Sequence, residues 1–481
     1  MIDDISLKSN LKKWFGYAEF RSGQLDVIKA LIQKEDTLAV LPTGTGKTLI
    51  YQYMGKLNEG TVIIVSPLIS LMQDQVDRMR FLGEKRTIAL NSSLNWYEKK
   101  KITKNLASYK YIYISPEMLS NDEILDNLKK INISLFVVDE AHCINQWGPD
   151  FRPEYLNLKR IISFLGSPLT LLLTATASNE VIDDIKNKIG IVNLNVIKYS
   201  ANRPNIALDV EIIDDLNEKN ERLLSLVNKV KKPGIIYFSS KKVANSVCRW
   251  LNDQTNLSVE AYHADIDNDS RYKIQHQFIN DKIDVICATS AFGMGIDKDN
   301  IRFVIHYHMP SNLESYVQEM GRAGRDGEQS ISYILYREKD EVLQYRFIDD
   351  AIPTEDMIDF FYRNSKSLLK ANLDEKGDLV RYYFEKGYEL DETKSIFYNR
   401  RNELIASLND MVEYVHSNGC YRQKLLNHFN EDFNNHDNQC CNGMQTELKL
   451  DHMNLISTNK DIKSGEKKEK WQNIIQSLFS N

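Results

Sequence analysis

The run Val137-Val138-Asp139-Glu140-Ala141-His142 sets two carboxylates directly behind two apolar β-formers, and an aromatic, arginine-bearing stretch from Cys143 to Tyr155 follows at once. The apolar pair predicts the end of a buried parallel strand, where Asp139 and Glu140 can hold Mg²⁺ and a water beside a phosphate. Acid pairs alone are common on solvated faces, so the upstream chain must decide. There, Leu38-Ala39-Val40-Leu41 runs into Pro42-Thr43-Gly44-Thr45-Gly46-Lys47-Thr48 and then Leu49-Ile50-Tyr51, which reads as strand, phosphate loop and helix. Glycines let backbone N–H groups close around phosphates, Lys47 carries charge to the β and γ oxygens, and the Thr48 hydroxyl can ligate Mg²⁺. The usual first glycine of the loop is Leu41 here. Together the two motifs predict ATP binding.

A second group of residues lies far downstream. Tyr316 to Gly327 contains Gln318, Arg322 and Arg325, and helical spacing predicts that both guanidiniums face one ligand. They follow a strand in a segment without its own phosphate loop, which is where a sensor of the γ-phosphate must come from. Between the two groups, Ser66-Pro67, Thr174-Ala175-Thr176, Phe238-Ser239-Ser240 and Ala288-Thr289-Ser290 each fall at or just beyond the end of a predicted strand. Small hydroxyls and backbone amides at strand ends suit a phosphodiester track, although singly each reads as a helix cap or turn.

The elements that must position these residues alternate along the chain. Strand-like runs at 38–41, 61–65, 111–114, 135–138 and 169–174 predict one doubly wound parallel sheet. A second series at 234–238, 259–262, 284–288, 303–306 and 332–336 predicts another, so that ATP would sit in the cleft between two α/β domains. The expected domains are 1–200, 201–340, a separate charged, Tyr-rich helical module at 341–445, and 446–481 as a linker from Leu448 followed by a helix. A length of 481 residues with 42% hydrophobic content supports several cores. No run approaches the roughly 18 apolar residues of a membrane span and no signal peptide is evident, so a cytoplasmic protein is expected. Six cysteines are too few for a disulfide framework, and the net charge of −6 leaves room for a local basic groove.

Taken together, these residues resemble the superfamily 2 helicases, and closely the RecQ family of DNA helicases, over residues 15 to about 337. The resemblance implies two tandem RecA-like domains followed by a helical module with a degenerate zinc-site pattern. It implies that Tyr17 and Arg21 sandwich adenine and that Gln24 reads its edge, with Thr43, Gly44, Thr45, Gly46, Lys47 and Thr48 around the phosphates. Asp139 would orient the metal, Glu140 would activate water, His142 with Gln318 would link the γ-phosphate to DNA, and Arg325, supported by Arg322, would be the arginine finger. Trp147, Phe151 and Arg152 would touch single-stranded DNA, with Ser66, His142, Ser239 and Thr289 along the same track. The implied activity is ATP-dependent 3′ to 5′ unwinding of single-stranded and forked DNA by a monomer in DNA repair and recombination. An RNA helicase or remodeller and an ATPase-weak DNA-binding or annealing protein are the alternatives, and the aromatic loop favours DNA. Pro149 stands where the family usually carries histidine, which would alter coupling between DNA and hydrolysis.

The resemblance weakens toward the C-terminus. The family's four-cysteine zinc pattern keeps only Cys420 and Cys440 in register, with Asp437 and Gly443 at the other two places. Cys420, Cys440 and Cys441 with Asp437 or His436 are the candidate ligands, but adjacent cysteines on one ion need a cramped geometry. A metal-free helical remnant, indifferent to EDTA, is the expectation. Winged-helix and further helical DNA-binding domains do not fit in the remaining tail, so weaker duplex engagement is expected. Trp471, Ile474, Ile475, Leu478 and Phe479 share one helical face, which would dock on this protein or on a partner protein.

Overall fold

The computed structural model describes residues 3–67, 69–146, 153–293, 298–369, 371–433, 436–437, 439–443 and 448–457. Trp147, Pro149, Phe151 and Arg152, and the apolar stripe from Trp471 to Phe479, lie outside the described residues. Among the described residues, no helix is long and apolar enough to cross a membrane.

Seven strands form the first sheet: β1 (Thr37–Val40), β2 (Thr61–Val65), β3 (Thr87–Leu90), β4 (Tyr111–Ile114), β5 (Ile133–Val138), β6 (Thr170–Thr174) and β7 (Asn195–Lys198). Their order is β3-β4-β2-β5-β6-β1-β7, all parallel. The second sheet holds β8 (Ile206–Ile213), β9 (Gly234–Tyr237), β10 (Val259–Tyr262), β11 (Val285–Ala288), β12 (Phe303–His306) and β13 (Ser330–Arg337), in the order β10-β11-β9-β12-β13-β8, again all parallel. β1, β2, β4, β9, β11 and β12 are buried at every position, because helices cover both faces of each sheet. Each strand therefore reads as a short apolar run, and its C-terminal end is where the chain is released into a loop.

Three strands were not expected from the sequence. β3 and β7 are four-residue strands at the two edges of the sheet; the apolar run of β3 is only Ile88-Ala89-Leu90, and β7 is half-buried at every position. β8 alternates apolar residues with Asp209 and Glu211, yet it pairs with β13 over eight residues. Its free edge is covered from the far C-terminal side: the Leu208 N–H donates to Cys440 O (3.1 Å) and the Asn442 N–H to Leu208 O (3.1 Å). Burial pushes the Asp209 carboxyl up to about 8, where it accepts from the Asn442 side-chain amide at 2.5 Å.

The expected helical module is present, and that cover docks it on the second sheet. The 26-residue helix Leu390–Val415 starts in a small core with Ile358, Phe361 and Tyr383. Its second half places Leu408, Met411, Tyr414 and Val415 in the core of the second sheet with Tyr316 and Tyr336. The expected linker fails over 448–457. Leu450, Met453 and Leu455 are buried against Val227 and Val230, and the backbone is fixed by Lys231 N–H to Leu455 O and Ser457 N–H to Lys229 O, both 2.8 Å. Three apolar residues in a polar stretch are enough to dock it.

Candidate nucleotide site between two parallel sheets

The phosphate loop leaves β1 beside β6, where the Leu41 N–H donates to Thr174 O at 3.0 Å. Gly44 (φ 85°) and Gly46 (φ 72°) take left-handed turns that other residues adopt only at a cost. The helix Lys47–Leu57 begins at once, so its unpaired N–H groups and positive dipole end face the loop. Two residues of the N-terminal motif close around it. Arg21 donates to Gly44 O at 2.5 Å, and the Gln24 amide donates to Thr45 O (2.6 Å) and Gly46 O (3.0 Å) while accepting from the Arg21 N–H (2.9 Å). Tyr17 is 51% exposed. In this arrangement both Gln24 donors are spent on the loop rather than turned toward a base.

Asp139 and Glu140 follow β5, and Glu140 has φ 50°, the left-handed region, at a cost on the order of 1–2 kcal/mol for a side-chain-bearing residue. That turn carries its carboxylate out of the strand direction toward the second domain. Burial, then the neighbouring Glu140 carboxylate, pushes Asp139 up to about 7, with Lys47 opposing. Burial also raises Glu140 and lowers Lys47. Burial brings His142 down to about 4, so the ring is neutral at physiological pH. The Thr174 hydroxyl donates to Thr176 O (3.0 Å), so the proton between Thr174 and His142 (2.9 Å) must sit on His142 Nδ1, which also lies 3.4 Å from Glu140 Oε2.

The second domain meets this pocket edge-on. Gln318 Nε2 donates toward Glu140 Oε2 at 3.4 Å, and Thr43 Oγ1 donates to Gly321 O at 3.0 Å. The stem of Arg325 lies against the loop: a Cβ added at Gly44 would stand 3.0 Å from Arg325 Cγ. The expected helical pairing of the arginines is corrected here, because the helix Leu313–Met320 ends first and both arginines fall in the turns after it. Arg322 is buried and donates to Gly293 O in its own domain, while the Arg325 stem lies against the phosphate loop; the charges of both still reach Lys47. Arg203, which belongs to none of the motifs read from the sequence, also enters this seam.

The expected DNA track is partly corrected. Ser66 is buried, with its N–H on Ile114 O at 3.1 Å, because β2 carries it below the sheet edge; its hydroxyl is not presented to a strand. His142 is likewise buried behind Glu140 and Thr174. Ser239 and Thr289 are half-buried at strand ends; Ser239 Oγ accepts from Gln344 Nε2 (2.9 Å), and the Ser239 N–H donates to His308 Nδ1 (3.1 Å).

A second cluster lies behind β8. One ligand-type atom each from Cys420, His436, Cys440 and Cys441 falls within 4.8 Å of the others. Cys420 Sγ is 3.7 Å from the sulfurs of both Cys440 and Cys441, and 3.2 Å from His436 Nδ1. Asp437 is not part of it; its carboxylate accepts from the Gln439 N–H (2.9 Å) and closes its own turn, which corrects the expected ligand set in favour of His436.

The DEAD/DEAH box helicase family matches residues 21–185, the helicase conserved C-terminal domain family matches 218–327, and the RecQ zinc-binding family matches 380–443. The probable ATP-dependent DNA helicase RecS of Bacillus subtilis (strain 168) is 39% identical over 460 residues, covering 92% of this chain and 93% of that protein. The chain belongs to the RecQ family. The ATP-dependent DNA helicase RecQ of the same organism is 34% identical over 445 residues, covering 91% of this chain and 67% of that protein. Among solved structures, Mss116p bound to single-stranded RNA and AMP-PNP is similar with a TM-score of 0.59 at 18% identity, covering 89% of each chain. The helicase MrfA bound to DNA reaches the same TM-score at 16% identity, with 72% of this chain on 53% of that one. At such identities the likeness shows the fold. For a RecQ-family zinc site the donor set fits: tetrahedral Zn–S bonds of about 2.3 Å put sulfurs about 3.8 Å apart, close to the 3.7 Å separations here.

Proposed function

We propose that this RecQ-family enzyme, an ATP-dependent DNA helicase, uses ATP hydrolysis in the seam to step along single-stranded DNA in the 3′ to 5′ direction, opening forked duplexes in repair and recombination. The observation that carries this reading is Gln318 of one domain within reach of Glu140 of the other, at 3.4 Å. Chemistry at Glu140 is thereby tied to how the two domains sit.

Each residue then has a task. The loop amides and Lys47 hold the β- and γ-phosphates, and Tyr17 and Arg21 clamp the base, with Gln24 free to read its edge only after releasing the loop carbonyls. A Mg²⁺ held by Thr48 and Asp139 would neutralise charge that builds on the phosphates. Glu140 orients the attacking water and takes its proton; burial, by raising its proton affinity, makes it a better base. Arg325 meets the charge that develops at the γ-phosphate, a contribution of about 10³ to 10⁵ in rate when an arginine is so placed. Loss of that phosphate slackens the Gln318 and Thr43 contacts, so the domains part and the strand advances. Trp147, Phe151 and Arg152 stack on and neutralise single-stranded DNA, each aromatic contributing roughly 1–3 kcal/mol. Cys420, His436, Cys440 and Cys441 would hold zinc, which supplies a cross-link and no chemistry.

ATPase rates with single-stranded DNA and with RNA, and displacement of duplexes carrying 3′ or 5′ tails, test this. DNA-specific stimulation and displacement from 3′ tails are expected, with Trp147→Ala lowering the DNA-stimulated rate far more than the basal one. Equal stimulation by RNA, or displacement only from 5′ tails, would overturn it.

A further inference from the structure

The chain between β7 and β8 crosses from one domain to the other, and a single side chain in it touches both halves of the seam. Arg203 Nη1 donates to Thr43 O (3.1 Å) in the phosphate loop and to Gly321 O (3.0 Å). Its Nη2 donates to Ala323 O (3.0 Å) and Gly324 O (2.7 Å), in the turn that immediately precedes Arg325. A guanidinium has four terminal N–H groups, and all four are used on carbonyls. Three of those carbonyls belong to the Arg325 turn and one to the phosphate loop. The charge therefore travels with the second domain and meets the first only when the seam is closed.

The segment is anchored from behind. Arg422, 3% exposed, donates to Asn202 Oδ1 and Arg203 O (both 2.9 Å), to Ile206 O (2.5 Å), and through Nε to Cys440 Sγ (3.2 Å). Asn205 Nδ2 donates to Gly324 O (2.8 Å) and Glu328 O (2.9 Å), from the other side of the same turn. Arg203, Asn205 and Arg422 lie outside both the phosphate-loop motif and the arginine motif.

We infer that Arg203 is a positioning residue for hydrolysis: it sets the turn carrying Arg325 against the Thr43 carbonyl, so that the finger is aimed only when the domains are closed. The inference rests on the reading of Arg325 as the arginine finger. Arg203 acts through the turn and not on the nucleotide, because every terminal donor it has is committed to backbone carbonyls. A lysine could supply the charge but not two forks in one plane, and a glutamine neither.

A double-mutant cycle on the full chain tests it, with steady-state ATPase at saturating single-stranded DNA. Arg203→Gln should lower kcat about tenfold to a hundredfold, the cost of misplacing a catalytic group by an ångström or so, and leave KM for ATP within about threefold. Arg203→Lys should lie between it and the parent. In an Arg325→Ala background, Arg203→Gln should cost less than about threefold more, because there is no longer a finger to aim. Losses that multiply, or a raised KM with kcat unchanged, would overturn the inference while leaving the finger reading intact. An Arg325→Ala chain with undiminished turnover would instead overturn the finger reading, and this inference with it. If thermal melting shows Arg203→Gln unfolded at the assay temperature, the same cycle is run with Arg203→Lys, and the same two criteria decide.

Discussion

The nucleotide seam and the thiol cluster lie on either side of the interdomain segment, yet they are built on opposite terms. In the seam, Glu140 is buried and Lys47 and Asp139 are half-buried, with proton affinities pushed away from their charged forms, and the contacts that cross it are a few hydrogen bonds to carbonyls and one carboxylate. Such a site is costly alone and complete only with phosphates and a cation, so a ligand can close it and its loss can open it. The cluster instead sits among Tyr414, Tyr421, Leu425 and Phe429 in the core of the second sheet, and its backbone pairs with β8. Opening it would expose that core. One region is made to change with turnover and the other to stay.

The largest effect should come from the seam. Glu140→Gln is expected to lower ATP turnover about 10³-fold, within the range of a lost general base, while single-stranded DNA affinity by fluorescence anisotropy stays within a few-fold. Strand separation retained by that variant would put Glu140 outside the chemistry. The cluster should show the reverse pattern, with stability affected before turnover. One zinc per chain is expected by elemental analysis, and a structural zinc site contributes on the order of 10 kcal/mol to folding, so stripping it or making His436→Ala should lower the melting temperature markedly. Purified protein with little zinc and a melt indifferent to chelation would restore the metal-free reading of this module.

A smaller change would show whether the seam must close tightly. A Cβ at Gly321 would stand 2.0 Å from Thr43 Oγ1 and 2.8 Å from Val317 O. Gly321→Ala should therefore hold the domains apart and lower kcat by about tenfold, the equivalent of ~1.4 kcal/mol, with only a modest fall in melting temperature from the Val317 carbonyl. A fall in melting temperature without loss of turnover would mean that the closed seam serves stability rather than chemistry.

The smallest effect concerns how the C-terminal part grips the second domain. His428 Nε2 bonds Glu314 Oε1 at 2.8 Å, at the first turn of the helix Leu313–Met320. Burial alone would lower the His428 pKa, but the hydrogen bond and charge of Glu314, together with the charges of Asp410 and Glu180, outweigh it and raise it. Burial likewise opposes the lowering of Glu314, which the bond to His428 brings about. The histidine's contribution is complete below its unfolded pKa of about 6.5 and is lost as pH rises through its folded value; the glutamate's is present above about 4.3 and is lost as pH falls through its depressed value. Stability from the pair is thus greatest between these limits and declines above neutrality, by about 1 kcal/mol. Melting curves between pH 5.5 and 8.5 should show that decline in the parent and not in His428→Ala. Parallel curves would remove the pair from the account.

How much of this was legible in the sequence depended on how local the signal was. Lys47 and Glu140 announce themselves because a strand end, a glycine turn and a charged residue are consecutive in the chain. Arg322 and Arg325 were legible as residues but not in their placement, since Met320 ends the helix one residue before Gly321. β8 hid behind Asp209 and Glu211, whose burial is tolerated only because Asn442 and Arg222 reach them. Spacing put Asp437 in register but could not choose between it and His436, because register counts residues and a turn closed by the Asp437 carboxylate does not keep count.

By itself, then, the sequence determined the two parallel sheets and the chemistry at their strand ends, because apolar runs and left-handed glycines act over a few residues. Only the tertiary structure decided that Thr43 meets Gly321, that Arg203 bridges the phosphate loop to the Arg325 turn, and that Cys420, His436, Cys440 and Cys441 converge beside β8. Those contacts join residues up to 278 positions apart. No local propensity encodes such a pairing; it follows from how buried faces pack and from the need to satisfy every buried carbonyl and guanidinium once they do.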